Sequence, residues 1–411
     1  MIFIIILIYI SIFLKGVFAS YNIIEFDPYI LLFPIIVLRI ISNIIRNEIK
    51  LNKPIIYFFL YISSIFISLI FNLDLNILSS TKGLLSYIIW PLIFVFSATE
   101  RFTNKSSDRI NKLMWYVGYI TAINTIFPLI LYLNTGIVIG ELIIGDNNFR
   151  SFGFLTDQVG FALVYFVVLS VFEKRYISLL IFLFSIFVTG TRGAILFGLI
   201  ALVVSFIFQN QKYLSFKNLF INAKKGVLLF FVLVAAWFAF GDALGELILL
   251  RLDQSSIENT SAQRLGAMEA GVQLFLENPL FGIGVGRFQE TVSLTPELYS
   301  KFDYHETLSE VENMRGYSNA QNQFVDILVN GGVFSFISVY LFLFYALKTI
   351  QHNSNFEVNT YYNKISFIFI ILSIFFIQTC IYLFNSGIIS FLILILLGRG
   401  IAPNMAKNYS N

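Results

Sequence analysis

The sequence predicts an all-α, polytopic membrane protein, a helical bundle of about twelve transmembrane helices. Three observations lead there. Of 411 residues, 57% are hydrophobic and only 12% charged, and mean hydropathy is +0.81. Apolar runs recur along the chain that are too long for ordinary core strands. The cations between those runs segregate to alternate sides, as topogenic charges do. A bundle in a bilayer is one continuous unit, so residues 1–411 read as a single integral membrane domain, with residues 251–321 as a large outer loop inside it.

Taken in order, the apolar segments lie near residues 1–14, 28–45, 54–72, 83–98, 113–134, 154–172, 176–189, 193–208, 227–250, 322–347, 365–384 and 386–398. The first, MIFIIILIYISIF, lacks the basic start of a secretory signal and is followed by further spans, so it is expected to be a retained helix. Loop charge orients the set. With a cytoplasmic N-terminus, seventeen Lys and Arg lie inside and nine outside, which obeys the positive-inside rule and puts both termini in the cytoplasm. Six of the nine outer cations are arginine: Arg150, Arg192, Arg251, Arg264, Arg287 and Arg315. Lysine is enough to hold topology, whereas the planar guanidinium grips phosphate or carboxylate bidentately, so the outer face is equipped for an anion.

Several function classes drop out. A formal net charge of +3, with no dense basic arm, argues against nucleic acid as a partner. The single cysteine, Cys380, lies in an apolar run and allows neither an intrachain disulfide nor a cysteine metal cluster. There is no HExxH and no paired-histidine spacing, so neither a metal nor any other cofactor is expected.

Four stretches carry candidate chemistry. The first is TGTRGA, residues 189–194, which follows a span of only fourteen residues. At about 1.5 Å per residue that span reaches roughly 21 Å, against a hydrocarbon core of about 30 Å. The turn should then be recessed below the outer surface, and irregular backbone is tolerated there only beside a cavity or inside protein. Arg192, near the start of the next helix, adds its charge to the positive end of the helix dipole, which suits an anionic headgroup. Snorkelling to lipid phosphates, or pairing with an outer carboxylate, is the structural alternative.

The second is SAQRLGAMEAGVQLFLENPLFGIGVGRF, residues 261–288. Leu265, Met268, Val272, Phe275 and Leu276 fall on one arc of a helix with Arg264 at its rim, and Pro279 stops it. This is the pattern of an amphipathic helix at a membrane surface. Gly282, Gly284 and Gly286 have the wrong spacing for a dinucleotide fingerprint and follow no strand, so they read as a flexible or tightly packed turn.

The third is RGYSNAQNQFVDILVNGG, residues 315–332, where Asn322, Asp326 and Asn330 recur four apart as a polar ridge on an entering helix. Asp326 reads as a general base or an arginine partner, or else as an acid favoured by the helix dipole; the two asparagines read as helix bridges. The fourth is the outer loop's own acid and base set, ten carboxylates that include Glu306 and Glu312, together with His305. Most such groups simply solvate a loop, although the pKa of a histidine suits proton abstraction.

The order of these features resembles the bacterial O-antigen polymerase (Wzy-type) and O-antigen ligase superfamily. The resemblance rests on GTRGAIL after a short span, R…ENPLFGIGVGRF in one large outer loop, and NAQNQFVDILVNGGVFSF opening the next span, with FRSFGFLTDQVGFAL upstream. It implies a GT-C-like bundle in the bacterial cytoplasmic (inner) membrane that works on its periplasmic face. It also implies a metal-independent, inverting glycosyltransferase that uses a glycan on undecaprenyl pyrophosphate as donor and a second lipid-linked glycan as acceptor. By match, Arg192 and Arg264 hold the pyrophosphate, with Arg150 beside them; Arg287 and Arg315 complete the outer candidates.

Ligases of the family carry His-Asn where this chain has Gln321-Asn322, a departure that favours a polymerase of O-antigen or capsule repeat units and leaves the base open among His305, Glu306, Glu312 and Asp326. The expected partners are the lipid-linked glycans, membrane lipids and a chain-length regulator. The alternatives are a ligase with another acceptor and a flippase or transporter. For the last, Arg39 in the second span is the one candidate midplane charge, close enough to the cytoplasmic end to snorkel.

Overall fold

The computed structural model describes residues 2–20, 28–45, 52–72, 90–100, 104–145, 148–155, 158–209, 267–288, 322–356, 360–377 and 388–402. The described chain is mostly helical. Its helices are α1 (Ile2–Ser20), α2 (Phe33–Ile45, entered through a 3₁₀ turn, Pro28–Leu32), α3 (Lys53–Phe71), α4 (Trp90–Thr99), α5 (Asn104–Thr135), α6 (Val159–Phe172), α7 (Tyr176–Val188) and α8 (Arg192–Phe208). They continue with α9 (267–277), α10 (Gln323–Phe356), α11 (Thr360–Ile377) and α12 (Ile388–Ile401). Eleven of the twelve expected segments overlap described helices, with 83–89 and 378–384 outside the described residues, and the other, 227–250, lies wholly outside them.

Three of these helices, Lys53–Phe71, Asp108–Thr135 and Gln323–Asn353, are long and apolar enough to cross a membrane; eight shorter apolar helices of 10–17 residues accompany them. Apolar side chains turned outward on the long helices, such as Phe71 at 65% and Leu133 at 72% exposure, fit contact with lipid, which leaves them at no hydrophobic disadvantage. The shorter α6 and α12 behave differently. Every residue of α6 is buried, and so is nearly every residue of α12, so both run through the interior of the bundle.

Aromatic packing joins the elements. Phe58 of α3, Phe94 of α4 and Phe342 of α10 form a triad with ring centroids 4.5–4.9 Å apart. Tyr165 of α6 meets Phe369 of α11 edge-on at 5.3 Å, a favoured aromatic geometry. Local chemistry sets the helix starts: Asn52 caps α3 by accepting from the Ile55 N–H at 3.2 Å, and Pro54 occupies the first turn, where its missing donor costs nothing.

The departure from helix is a hairpin. Strands β1 (Glu141–Gly145) and β2 (Asn148–Gly153) pair antiparallel with Ile143 opposite Arg150, in a stretch that sequence periodicity leaves as loop. Two strands alone are marginal in water. This pair is anchored on α5, where the Ser151 hydroxyl donates to the Thr125 carbonyl at 2.7 Å. The Asn124 side chain also donates to Phe152 O and accepts from Phe154 N–H, both at 3.0 Å.

Arg39 is no isolated midplane charge. Its Nε and Nη2 donate to the two carboxylate oxygens of buried Glu100 at 2.6 and 3.2 Å.

Candidate functional site

Two groups of elements hold the candidate residues. The first surrounds the TGTRGA turn. Helix α7 has thirteen residues, roughly 20 Å at about 1.5 Å each, and Thr189 and Gly190 of the turn after it are buried within the protein. The buried Thr189 closes α7 by donating its hydroxyl to the Ile186 carbonyl at 2.7 Å. Arg192 is the first residue of α8, and Thr191, the residue before it, makes no side-chain cap to that helix. The start of α6 packs directly on this turn: a Cβ added at Gly160 would stand 2.8 Å from both Thr189 Oγ1 and the Ala194 Cβ. Two helix N-termini with their partial positive charges thus converge beside Arg192. Strand β2, which carries Arg150, touches α7 and leads toward α6.

The second group surrounds the entry of α10. Asn322 is its cap, with Oδ1 accepting from the Phe324 and Val325 N–H groups at 3.0 and 3.3 Å. Its role in the polar ridge is therefore local, satisfying first-turn amides that would otherwise lack partners. Asp326, at 2% exposure, is buried within electrostatic reach of the Tyr61 side chain on α3. Asn330 is buried as well, and its carbonyl accepts from the Ser68 hydroxyl at 2.8 Å. Asp326 and Asn330 therefore face protein, on the side where α3 presents Tyr61, Ser64 and Ser68. The Ser64 and Ser335 hydroxyls bond at 2.6 Å. Ser64 and Ser68 stand four apart, the same spacing as Asn322, Asp326 and Asn330, a signal in the sequence that the expected site residues do not include.

Helix α10 is broken at Gly332, which sits at φ 68°, ψ −169°. Residues 278–288, NPLFGIGVGRF, lie over the break. The Ile283 N–H donates to Val329 O at 2.7 Å, and the Val333 N–H donates to Pro279 O at 2.9 Å. Gly282 and Gly332, both at positive φ, leave no room for a Cβ, which would run into Val329 O and Leu280 O respectively. The glycine-rich stretch is thus a tightly packed turn.

Helix α9 departs from the expected arc. Ala270 and Leu274 are its buried side, with Met268 and Phe275 beside them, while Val272 and Leu276 point outward. The helix has two apolar faces: one packs on protein, against Ile283, Phe288, Val325 and Val329, and the other leaves Val272 and Leu276 exposed.

Arg287 is buried at 3% exposure; its Nη1 donates to Asn72 O at 2.7 Å and to Ile283 O at 3.3 Å. Arg264, His305, Glu306, Glu312, Arg315 and Gln321 lie outside the described residues, Arg264 three positions before α9. Among the described residues no cluster of His, Cys, Asp and Glu is built to hold a metal.

Comparison with known families gives one finding that bears on this geometry. The family model described as O-antigen ligase matches residues 177–340, a segment that contains the TGTRGA turn, α9, the strap over Gly332 and the entry of α10. No curated protein matches the chain.

Proposed function

We propose, from the match of residues 177–340 to the family model described as O-antigen ligase, that the chain polymerises lipid-linked oligosaccharide repeat units of O-antigen or capsule type. The observation that supports this reading is the buried turn at 189–194, where α8 begins with Arg192 and the N-terminus of α6 packs against Thr189 and Ala194. Fixed guanidinium and amide dipoles in a partly dehydrated recess are what a departing pyrophosphate requires.

In the proposed reaction, the bond from the anomeric carbon of the donor glycan to its pyrophosphate oxygen breaks. A bond forms to a hydroxyl of the incoming lipid-linked repeat, with inversion at the anomeric carbon. The hydroxyl proton passes to a base, and undecaprenyl pyrophosphate leaves with the bonding electrons. Arg192 and Arg264 hold the pyrophosphate, with Arg150 and Arg315 in support, so the charge develops against fixed cations and no divalent metal is needed. The base is drawn from His305, Glu306, Glu312 and Asp326. Gln321 stands where ligases of the family have histidine, which supports a polymerase. Residues 1–411 act as one membrane domain of the bacterial inner membrane, with both termini cytoplasmic, the loop 251–321 on the outer face, and a chain-length regulator as partner.

The test is purified protein in detergent with a synthetic undecaprenyl-pyrophosphate repeat unit. Polymer is expected from the wild type and none from Arg192→Ala or Arg264→Ala, although both variants insert into membranes normally. Full-length polymer from both variants would refute the pyrophosphate role. Transfer to a lipid A core acceptor without polymer would identify a ligase, and donor binding with neither product would favour transport.

A further inference from the structure

Arg287 belongs to the arginine-rich outer set, yet its surroundings are those of a fastener. Its Nη1 lies against Asn72 O, the carbonyl just past α3, and against Ile283 O in its own turn. A helix C-terminus offers carbonyls without helical partners and carries partial negative charge, so a guanidinium there is stabilised twice, by hydrogen bonds and by the dipole. A permanently charged group at 3% exposure requires such acceptors, and these are made of backbone.

Asn72 completes the joint from the other side. Its Nδ2 donates to Ser68 O at 2.7 Å and to Gly282 O at 3.2 Å, which ties the end of α3 to the turn that holds Arg287. Phe71 stacks on Phe281 at 4.4 Å next to it.

What this joint holds is a separate small unit. Ala270 and Leu274 of α9, Ile283 and Phe288 of the strap, and Val325 and Val329 of α10 form their own apolar cluster, distinct from the main core. Val285, from the middle of the strap, belongs to the main core. Residues 278–288 therefore pack into both clusters, with Arg287 and Asn72 at the seam.

We propose that Arg287 is a positioning residue. Acting through Asn72, it docks the unit of α9, the strap and the start of α10 onto α3, and so sets where Asp326 stands relative to the turn that carries Arg192. It does not bind the donor pyrophosphate. This inference rests on the proposed glycosyl transfer for its catalytic consequence and on the geometry alone for its structural one.

Arg287→Lys, Arg287→Gln and Asn72→Ala test it in three measurements. Hydrogen exchange in peptides covering 278–288 and 329–333 should rise at least tenfold in Arg287→Gln and Asn72→Ala while exchange in α6 and α12 stays unchanged. Affinity for inorganic pyrophosphate should remain within twofold of wild type in all three. With the undecaprenyl-pyrophosphate repeat unit, kcat should fall tenfold or more in Arg287→Gln and Asn72→Ala, with KM for the donor within twofold, and Arg287→Lys should recover part of the loss. Pyrophosphate affinity weakened tenfold with exchange unchanged would overturn the proposal and return Arg287 to the anion site; wild-type kcat in Arg287→Gln would overturn it as well. A wild-type protein that neither turns over nor binds pyrophosphate refutes the proposed function and the catalytic half of this inference, while the exchange measurement still decides the structural half.

Discussion

Gly332→Ala puts the broken helix to a quantitative test. At φ 68°, ψ −169° a residue with a side chain is strained by about 1–3 kcal/mol. The new Cβ would also run into the Leu280 carbonyl, which belongs to backbone and cannot swing aside as a side-chain tip can. If the strap lifts to make room, the bonds from Val333 N–H to Pro279 O and from Ile283 N–H to Val329 O are lost, each worth about 1 kcal/mol. The expected destabilisation is therefore about 3–5 kcal/mol. Gly198→Ala serves as the control. That glycine lies inside α8, and its nearest neighbour, the terminal methyl of Ile186 at 3.3 Å, can shift. Alanine's better helix propensity should offset the contact, leaving stability within about 1 kcal/mol of wild type. Reversible unfolding of the purified variants in mixed micelles gives both values. A Gly332→Ala variant as stable as wild type, or a Gly198→Ala variant that loses as much, would refute the account of the break.

Two further substitutions probe how polar groups are satisfied within the apolar bundle. Asn124→Ala removes two of the three side-chain bonds that hold the hairpin to α5, leaving that of Ser151; a loss of about 2–3 kcal/mol is expected, together with faster proteolysis between β1 and β2, and unchanged cleavage there would count against the anchoring role. Arg39→Ala strands the buried Glu100 carboxylate. Because Arg39 is itself 38% exposed, the expected loss is discounted to about 1–3 kcal/mol. The double variant with Glu100→Gln should be more stable than Arg39→Ala alone, and a double variant that is less stable would disprove the pairing as the cause.

Much of the helix layout was legible because long apolar runs are a composition signal that needs no knowledge of neighbours. The short helix before TGTRGA and the helix that starts at Arg192 were legible too, since both follow from the apolar runs on either side. The polar contacts were much less so. Asn322, Asp326 and Asn330 advertise a ridge, but what it faces depends on Tyr61 and Ser68, more than 250 positions earlier in the chain. Arg287 reads as one more outer arginine until the end of α3 is brought against it. The arc expected on α9 assumes one apolar partner, and the helix has two.

Residence in the membrane, the helical content and the candidate anion-binding arginines follow from residue types and their order, since burying apolar runs in lipid and keeping Lys and Arg at its edges are local requirements. Which arginine is spent on backbone carbonyls and which helices run through the interior were decided by tertiary packing. So was the tolerance of a helix break at Gly332. A buried charge or a freed amide is acceptable only where a distant segment supplies its hydrogen-bond partner.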